Sequence, residues 1–75
     1  MQKRIELIRR RKELGLTQSD LVIKIKKLKK NTKITQSHYS KIESGEKNPS
    51  LKLAIIISKI LYSTVEKLFE SEITI

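Results

Sequence analysis

Seventy-five residues make one small domain at most, too short for an interior that encloses a cofactor or a large substrate. With no cysteine and a single histidine, the chain supplies neither a disulfide framework nor the usual ligand set for zinc. It carries 17 Lys and Arg against 8 Asp and Glu, a net charge of +9, and only one proline and two glycines, a balance that fits a short-looped helical domain better than disorder.

The opening Met1-Gln2-Lys3-Arg4 leads into mixed charge with no apolar stretch, so neither a signal peptide nor a membrane span is expected, and a cytoplasmic location is. Residues 2–14 then place Ile5, Leu7, Ile8 and Leu14 among charges, and Gly15 stands where a helix C-cap belongs; this is helix 1. Thr17-Gln18-Ser19-Asp20 has the form of a capping box and opens helix 2. The apolar stripe Leu21, Val22, Ile25 and Leu28 carries that helix to about Lys30, where Asn31-Thr32 breaks it.

Thr35 caps a helix 3 of about ten residues, with Tyr39 and Ile42 facing inward and Ser44-Gly45 ending it. Pro49 interrupts the chain, and Ser50 caps helix 4 from about Leu51 to Leu61. Its apolar arc is wide: Leu53, Ala54, Ile56, Ile57, Ile60 and Leu61 share one side, while Leu51 and Ile55 fall on the side that also holds Ser58. Thr64 caps a last short helix through Phe69, and the alternating Glu72-Ile73-Thr74-Ile75 suits a terminal strand. The predicted architecture is all-α, a single domain over residues 1–75 with a tail at 70–75.

The positive charge is one-sided. Residues 1–48 hold fourteen Lys and Arg against five acids, and residues 49–75 hold three of each. A basic surface of this kind favours a polyanion, because each neutralised phosphate releases condensed counterions. Nucleic acid is the leading partner, with anionic membrane behind it. A cationic membrane-active chain would account for the six lysines of Lys24 to Lys33 but not for the capped helices on either side.

Four segments in order give the chain a likeness. Gly15-Leu16-Thr17-Gln18-Ser19-Asp20-Leu21, Ile34-Thr35-Gln36-Ser37-His38-Tyr39-Ser40-Lys41-Ile42-Glu43, Ser44-Gly45-Glu46-Lys47-Asn48-Pro49-Ser50-Leu51 and Thr64-Val65-Glu66-Lys67-Leu68-Phe69 follow one another within one short chain. Together, over about residues 5–69, they resemble the phage repressor and Cro-type helix-turn-helix family, the XRE-like regulators. The resemblance implies a five-helix DNA-binding domain whose helix 3 lies in the major groove.

It also implies roles for particular residues. Gln36, Ser37 and Lys41 match the base-reading positions, with Ser40 beside them. Glutamine can pair with adenine, lysine can donate to guanine, and serine can contact either. Thr17, Gln18, His38, Lys47 and Asn48 match or adjoin positions that meet phosphates. Arg11 and Glu43 correspond to a buried salt bridge tying helix 1 to helix 3, and reversing both charges together is expected to preserve folding.

Against each role stands a plainer one: solvated side chains on a short helix, capping by Thr17, an exposed loop at Lys47 and Asn48. His38 has no second histidine or carboxylate in helical register, so no metal is expected. With no Ser/His/Asp set, paired carboxylates or glycine-rich phosphate loop, neither enzyme activity nor a cofactor is expected.

The chain departs from the family between helices 2 and 3. Lys26 to Lys33 stand where about one residue is usual, with no glycine for a tight turn. The expectation is a helix 2 longer by about two turns, then a polar loop at Asn31 to Lys33. Lys26, Lys29, Lys30 and Lys33 would then reach phosphates beyond the usual footprint, the alternative being a solvated lysine face.

A domain this small reads few base pairs alone, so a homodimer on a palindromic operator is expected, with Ile55, Ile56, Phe69, Ile73 and Ile75 as dimer contacts. The overall expectation is a sequence-specific DNA-binding regulator, a repressor. The same apolar surplus fits a second reading, an antitoxin-like protein whose main role is to bind a protein partner.

Overall fold

A computed structural model describes residues 3–70 and places five helices in that range: α1 (Ile5–Glu13), α2 (Gln18–Leu28), α3 (Gln36–Ser44), α4 (Leu51–Ile60) and a short α5 (Glu66–Glu70). The alternating segment at 72–75 lies outside the described residues, as do Ile73 and Ile75.

Local chemistry sets most boundaries. Thr17 and Asp20 form a reciprocal box, Asp20 N–H to Thr17 Oγ1 at 3.0 Å and Thr17 N–H to Asp20 Oδ2 at 2.9 Å. These bonds hold the Asp20 carboxyl below its ordinary range. Thr35 and Ser50 accept from His38 N–H and Leu53 N–H, and Thr64 from Lys67 N–H, so every hydroxyl-capped start expected from sequence is present. Gly45 ends α3 at φ +85°, a left-handed conformation in which a side chain would be strained.

Three boundaries differ from expectation. First, α1 begins at Ile5, because Arg4 leaves the helical conformation to give its N–H to Glu43 O at 2.8 Å. Second, α2 runs only three residues past Ile25, about one turn rather than two. Lys29 is already extended, and Leu28 is 62% exposed, so no packing rewards further helix, while lysines at i, i+3 and i+4 repel. Third, α5 is a single widened turn with i→i+5 spacing, which turns both Leu68 and Phe69 inward.

The core is one cluster. Leu7 from α1, Leu21 and Ile25 from α2, Tyr39 and Ile42 from α3, and Ile57, Leu61 and Leu68 from the C-terminal half are fully buried. α2 packs on α3 and α4, and α1 on α3 and α5. Ser58, placed with Leu51 and Ile55 by helical projection, is buried among the core residues and satisfies its hydroxyl on Ile55 O at 2.8 Å.

Phe69, expected at a dimer surface, is instead 7% exposed, with the Arg4 guanidinium 5.5 Å from its ring centre. The packing of α5 on α1 leaves little of the ring for a contact between copies.

Candidate nucleic-acid interface

Three arginines in or just ahead of α1 act as anchors, and two of them fix α3. Arg11 meets Glu43 through two bonds, Nε to Oε2 at 2.6 Å and Nη2 to Oε1 at 3.2 Å, and gives Nη1–H to Leu16 O at 2.8 Å. Both side chains are nearly buried. Arg4, immediately ahead of α1 and seven positions before Arg11, donates Nε–H to Ile42 O at 2.8 Å and Nη2–H to Asn48 Oδ1 at 2.6 Å. Two positive charges therefore meet the C-terminal carbonyls and the acidic end of α3, where the helix dipole favours them. Arg10 anchors the end of α4 in the same manner, Nε–H to Leu61 O at 2.8 Å.

With its C-terminal end fixed, α3 turns its N-terminal end outward. Gln36, Ser37 and Lys41 are exposed and Ser40 is half-buried on that helix. Among the described residues, Gln36, Ser37 and Lys41 spend no side-chain donor or acceptor inside the domain. Lys47 and Asn48 lie exposed in the following loop, and the bond from Arg4 fixes Asn48 with its amide nitrogen free to donate.

Thr17 is exposed at the start of α2, engaged in its capping box. Gln18, beside it, gives Nε2–H to Glu43 Oε1 at 3.0 Å. This glutamine thus belongs to the Arg11–Glu43 network as well as to the helix start, and its second N–H remains for an outside acceptor.

The four lysines of the α2–α3 connection do not act as one stripe. Lys29 and Lys33 share a hollow of about 330 Å³ with His38, Asn48 and Lys52, beside the start of α3 and the loop after it. Lys26 and Lys30 are exposed elsewhere and line no part of that hollow.

Burial alone would push the Glu43 carboxyl up, but the hydrogen bonds and charge of Arg11, with the amide of Gln18, outweigh it and hold the group below its ordinary range. Tyr39, packed beneath the pair, has a buried hydroxyl with no hydrogen-bond partner in ordinary geometry; burial, then the nearby Glu43 charge, hold it well above the usual phenol range.

The Glu43 shift predicts the acid behaviour of the domain. A carboxyl with a lowered folded value contributes stability that is complete above its unfolded value of 4.5 and is lost as pH falls through the folded one. Urea unfolding followed from about pH 6 to 3 should show that decline, and Glu43→Gln should make it shallower. An identical acid limb in both proteins would mean that Glu43 is not the group responsible.

Arg4 and the inward role of Gln18 were not foreseen from sequence. For Arg4 a signal existed: it shares one helical face with Leu7, Ile8 and Arg11, an unusual place for a charge that is merely solvated. Among the described residues no group of three or more His, Cys, Asp or Glu is placed to hold a metal ion, and no described helix is long and apolar enough to cross a membrane.

A compact helical bundle whose second and third helices are locked together, with the third presenting free polar side chains, defines a helix-turn-helix domain. A family model described as Helix-turn-helix matches residues 7–68, and the chain belongs to that family, of the Cro/C1 type, as a DNA-binding regulator. No curated protein and no solved structure matches it significantly.

Proposed function

We infer that this protein is a repressor that reads a palindromic operator as a homodimer. The observation that carries the reading is the polarity of α3. Its C-terminal end is held by Arg4 and Arg11, while Gln36, Ser37 and Lys41 at the outer face keep all their hydrogen-bonding capacity unspent. In the major groove Gln36 pairs with adenine, Lys41 donates to guanine O6 or N7, and Ser37 and Ser40 contact adjacent base edges.

Thr17, Gln18, His38, Lys47 and Asn48 set the register on phosphates at either side. A single α3 reads too few base pairs for an address in a genome, so two copies meet across α4, where Ile55 is exposed and Ile56 half-buried, with Ile73 and Ile75 adding to the contact. Repression follows from occupancy of the operator itself.

The test is affinity, across a salt series, for the DNA immediately upstream of the protein's own gene and for a scrambled sequence of the same length. A clear preference, with protection of two half-sites about 34 Å apart, supports the reading. Equal, weak and steeply salt-dependent binding to both would overturn it.

The insertion adds a second expectation. Lys29 and Lys33, gathered beside His38 and Asn48, extend the phosphate contacts, whereas Lys26 and Lys30 point elsewhere. Lys29→Gln with Lys33→Gln should reduce the slope of log affinity against log salt by about 2 while leaving sequence preference intact. An unchanged slope would reduce these lysines to a solubilising face.

A further inference from the structure

A groove of about 610 Å³ opens where the connection between α1 and α2, the second half of α2 and the end of α4 meet. Leu28, Ile60 and Tyr62 are among its apolar walls, Lys24, Lys27 and Lys59 stand around it, and no acidic side chain lines it. No residue of α3, nor of the loop that follows it, takes part.

Two of these residues are held in places that folding alone does not reward. Leu28 ends the extra turn of α2 and leaves most of its side chain in water. Tyr62 is 80% exposed and occupies the left-handed region at φ +52°, where glycine is usual after a helix and a β-carbon crowds the backbone.

That conformation is firmly held. Tyr62 N–H reaches Lys59 O at 3.3 Å, Ser63 N–H reaches Ser58 O at 2.9 Å, and Arg10 donates to the carbonyls of Leu61 at 2.8 Å and Tyr62 at 3.4 Å. The turn thus keeps an aromatic ring at the edge of an apolar groove.

The surroundings select the occupant. Three lysines around an apolar floor would set like charge against like if the same face of a second copy met it, and they attract carboxylates. The surface is concave, which suits a rod of side chains entering it better than a bilayer, into which a protein must insert outward. A helix with apolar residues at i, i+3, i+4 and i+7, flanked by Asp and Glu, satisfies both the shape and the charge.

We propose that this groove is the docking site for an acidic amphipathic helix of a partner protein, engaged without displacing DNA from α3. The proposal stands apart from the repressor reading, since the groove and the reading helix share no residue.

The probe is a labelled peptide of about 18 residues with leucines at helical spacing and glutamates on the flanking positions, compared with a permuted peptide of the same composition. Binding to the full chain is followed by fluorescence anisotropy and by backbone amide shifts, with and without duplex DNA. The patterned peptide is expected to bind about tenfold more tightly than the permuted one, with shifts centred on Leu28, Ile60 and Tyr62 and with DNA still bound.

Leu28→Ser and Tyr62→Gly should each weaken the peptide by about fivefold or more, while Tyr62→Gly leaves the unfolding midpoint unchanged or raises it, because it relieves the left-handed strain. A tyrosine serving the fold alone would show no loss of binding.

Equal affinity for the two peptides, failure of the patterned peptide to bind, or shifts confined to Gln36–Lys41 would overturn the proposal. Self-association abolished by Leu28→Ser would assign the groove to a second copy. Binding to phosphatidylglycerol vesicles that Leu28→Ser removes, with no peptide binding, would assign it to a membrane surface. Either result would replace the partner proposed here.

Discussion

Replacing Arg11 with methionine is expected to cost the domain about 3 to 5 kcal/mol, because it strands the Glu43 carboxylate in a nearly dry site. The side chain of Glu43 is 4% exposed, and apart from Arg11 it keeps only the amide of Gln18 as a hydrogen-bond donor of standard geometry. A chain of this size has roughly 4 to 11 kcal/mol in all, so a large share of its stability is at stake. Urea or thermal unfolding reads the loss directly, and a loss under about 1 kcal/mol would place the pair effectively in water.

The partner experiment is to remove both charges. Arg11→Met with Glu43→Leu should recover most of the loss, since apolar groups of similar bulk avoid the desolvation that the ion pair carries. Exchanging the two charges, the rescue suggested by sequence, is a poorer test. A carboxylate at position 11 would face Leu16 O, which now accepts from Arg11 Nη1 at 2.8 Å. The reversed pair is expected to recover folding only in part.

The second large effect concerns recognition. Gln36→Ala is expected to lower the preference for the operator over scrambled DNA by about 1 to 3 kcal/mol, roughly 5- to 140-fold, without changing the salt slope. The side chain is exposed and unbonded within the domain, so the unfolding midpoint should move little. Lys41→Ala should weaken binding and also lower the slope by about 1 if the lysine meets a phosphate, or alter base preference at one position if it meets guanine. Gln36→Ala binding with undiminished preference would remove α3 from the reading role assigned to it.

Much of the architecture was legible because it is written locally. Thr17, Thr35, Ser50 and Thr64 each announce a helix start by a hydroxyl that can reach a nearby N–H, and Gly45 announces a stop by tolerating a positive φ. The salt bridge between Arg11 and Glu43, 32 positions apart, was accessible only through the likeness to a family, since no local rule pairs such distant charges.

What stayed hidden depends on long-range packing. The apolar stripe through Leu28 marks a helix direction but not whether anything covers that side, and nothing among the described residues covers it fully. Phe69, near an apolar tail, has the composition of a sticky end, yet α1 and the Arg4 guanidinium close over it. Tyr62 gives no sign in the sequence of a left-handed backbone, because that conformation is imposed by the turn closing on Ser58 and Lys59.

The contact of Arg4 with Phe69 also brings the first and last described helices side by side, α1 packing directly on α5. Segments joined ahead of α1 and behind α5 would start from neighbouring points, on the layer of the bundle that also holds the C-terminal end of α3. Fusion partners placed at both ends would therefore crowd each other, and the one ahead of α1 would begin beside Asn48, which Arg4 holds. The exposed connection at 29–33, by contrast, is a natural place to open the chain if its two ends were spliced into a circular permutant.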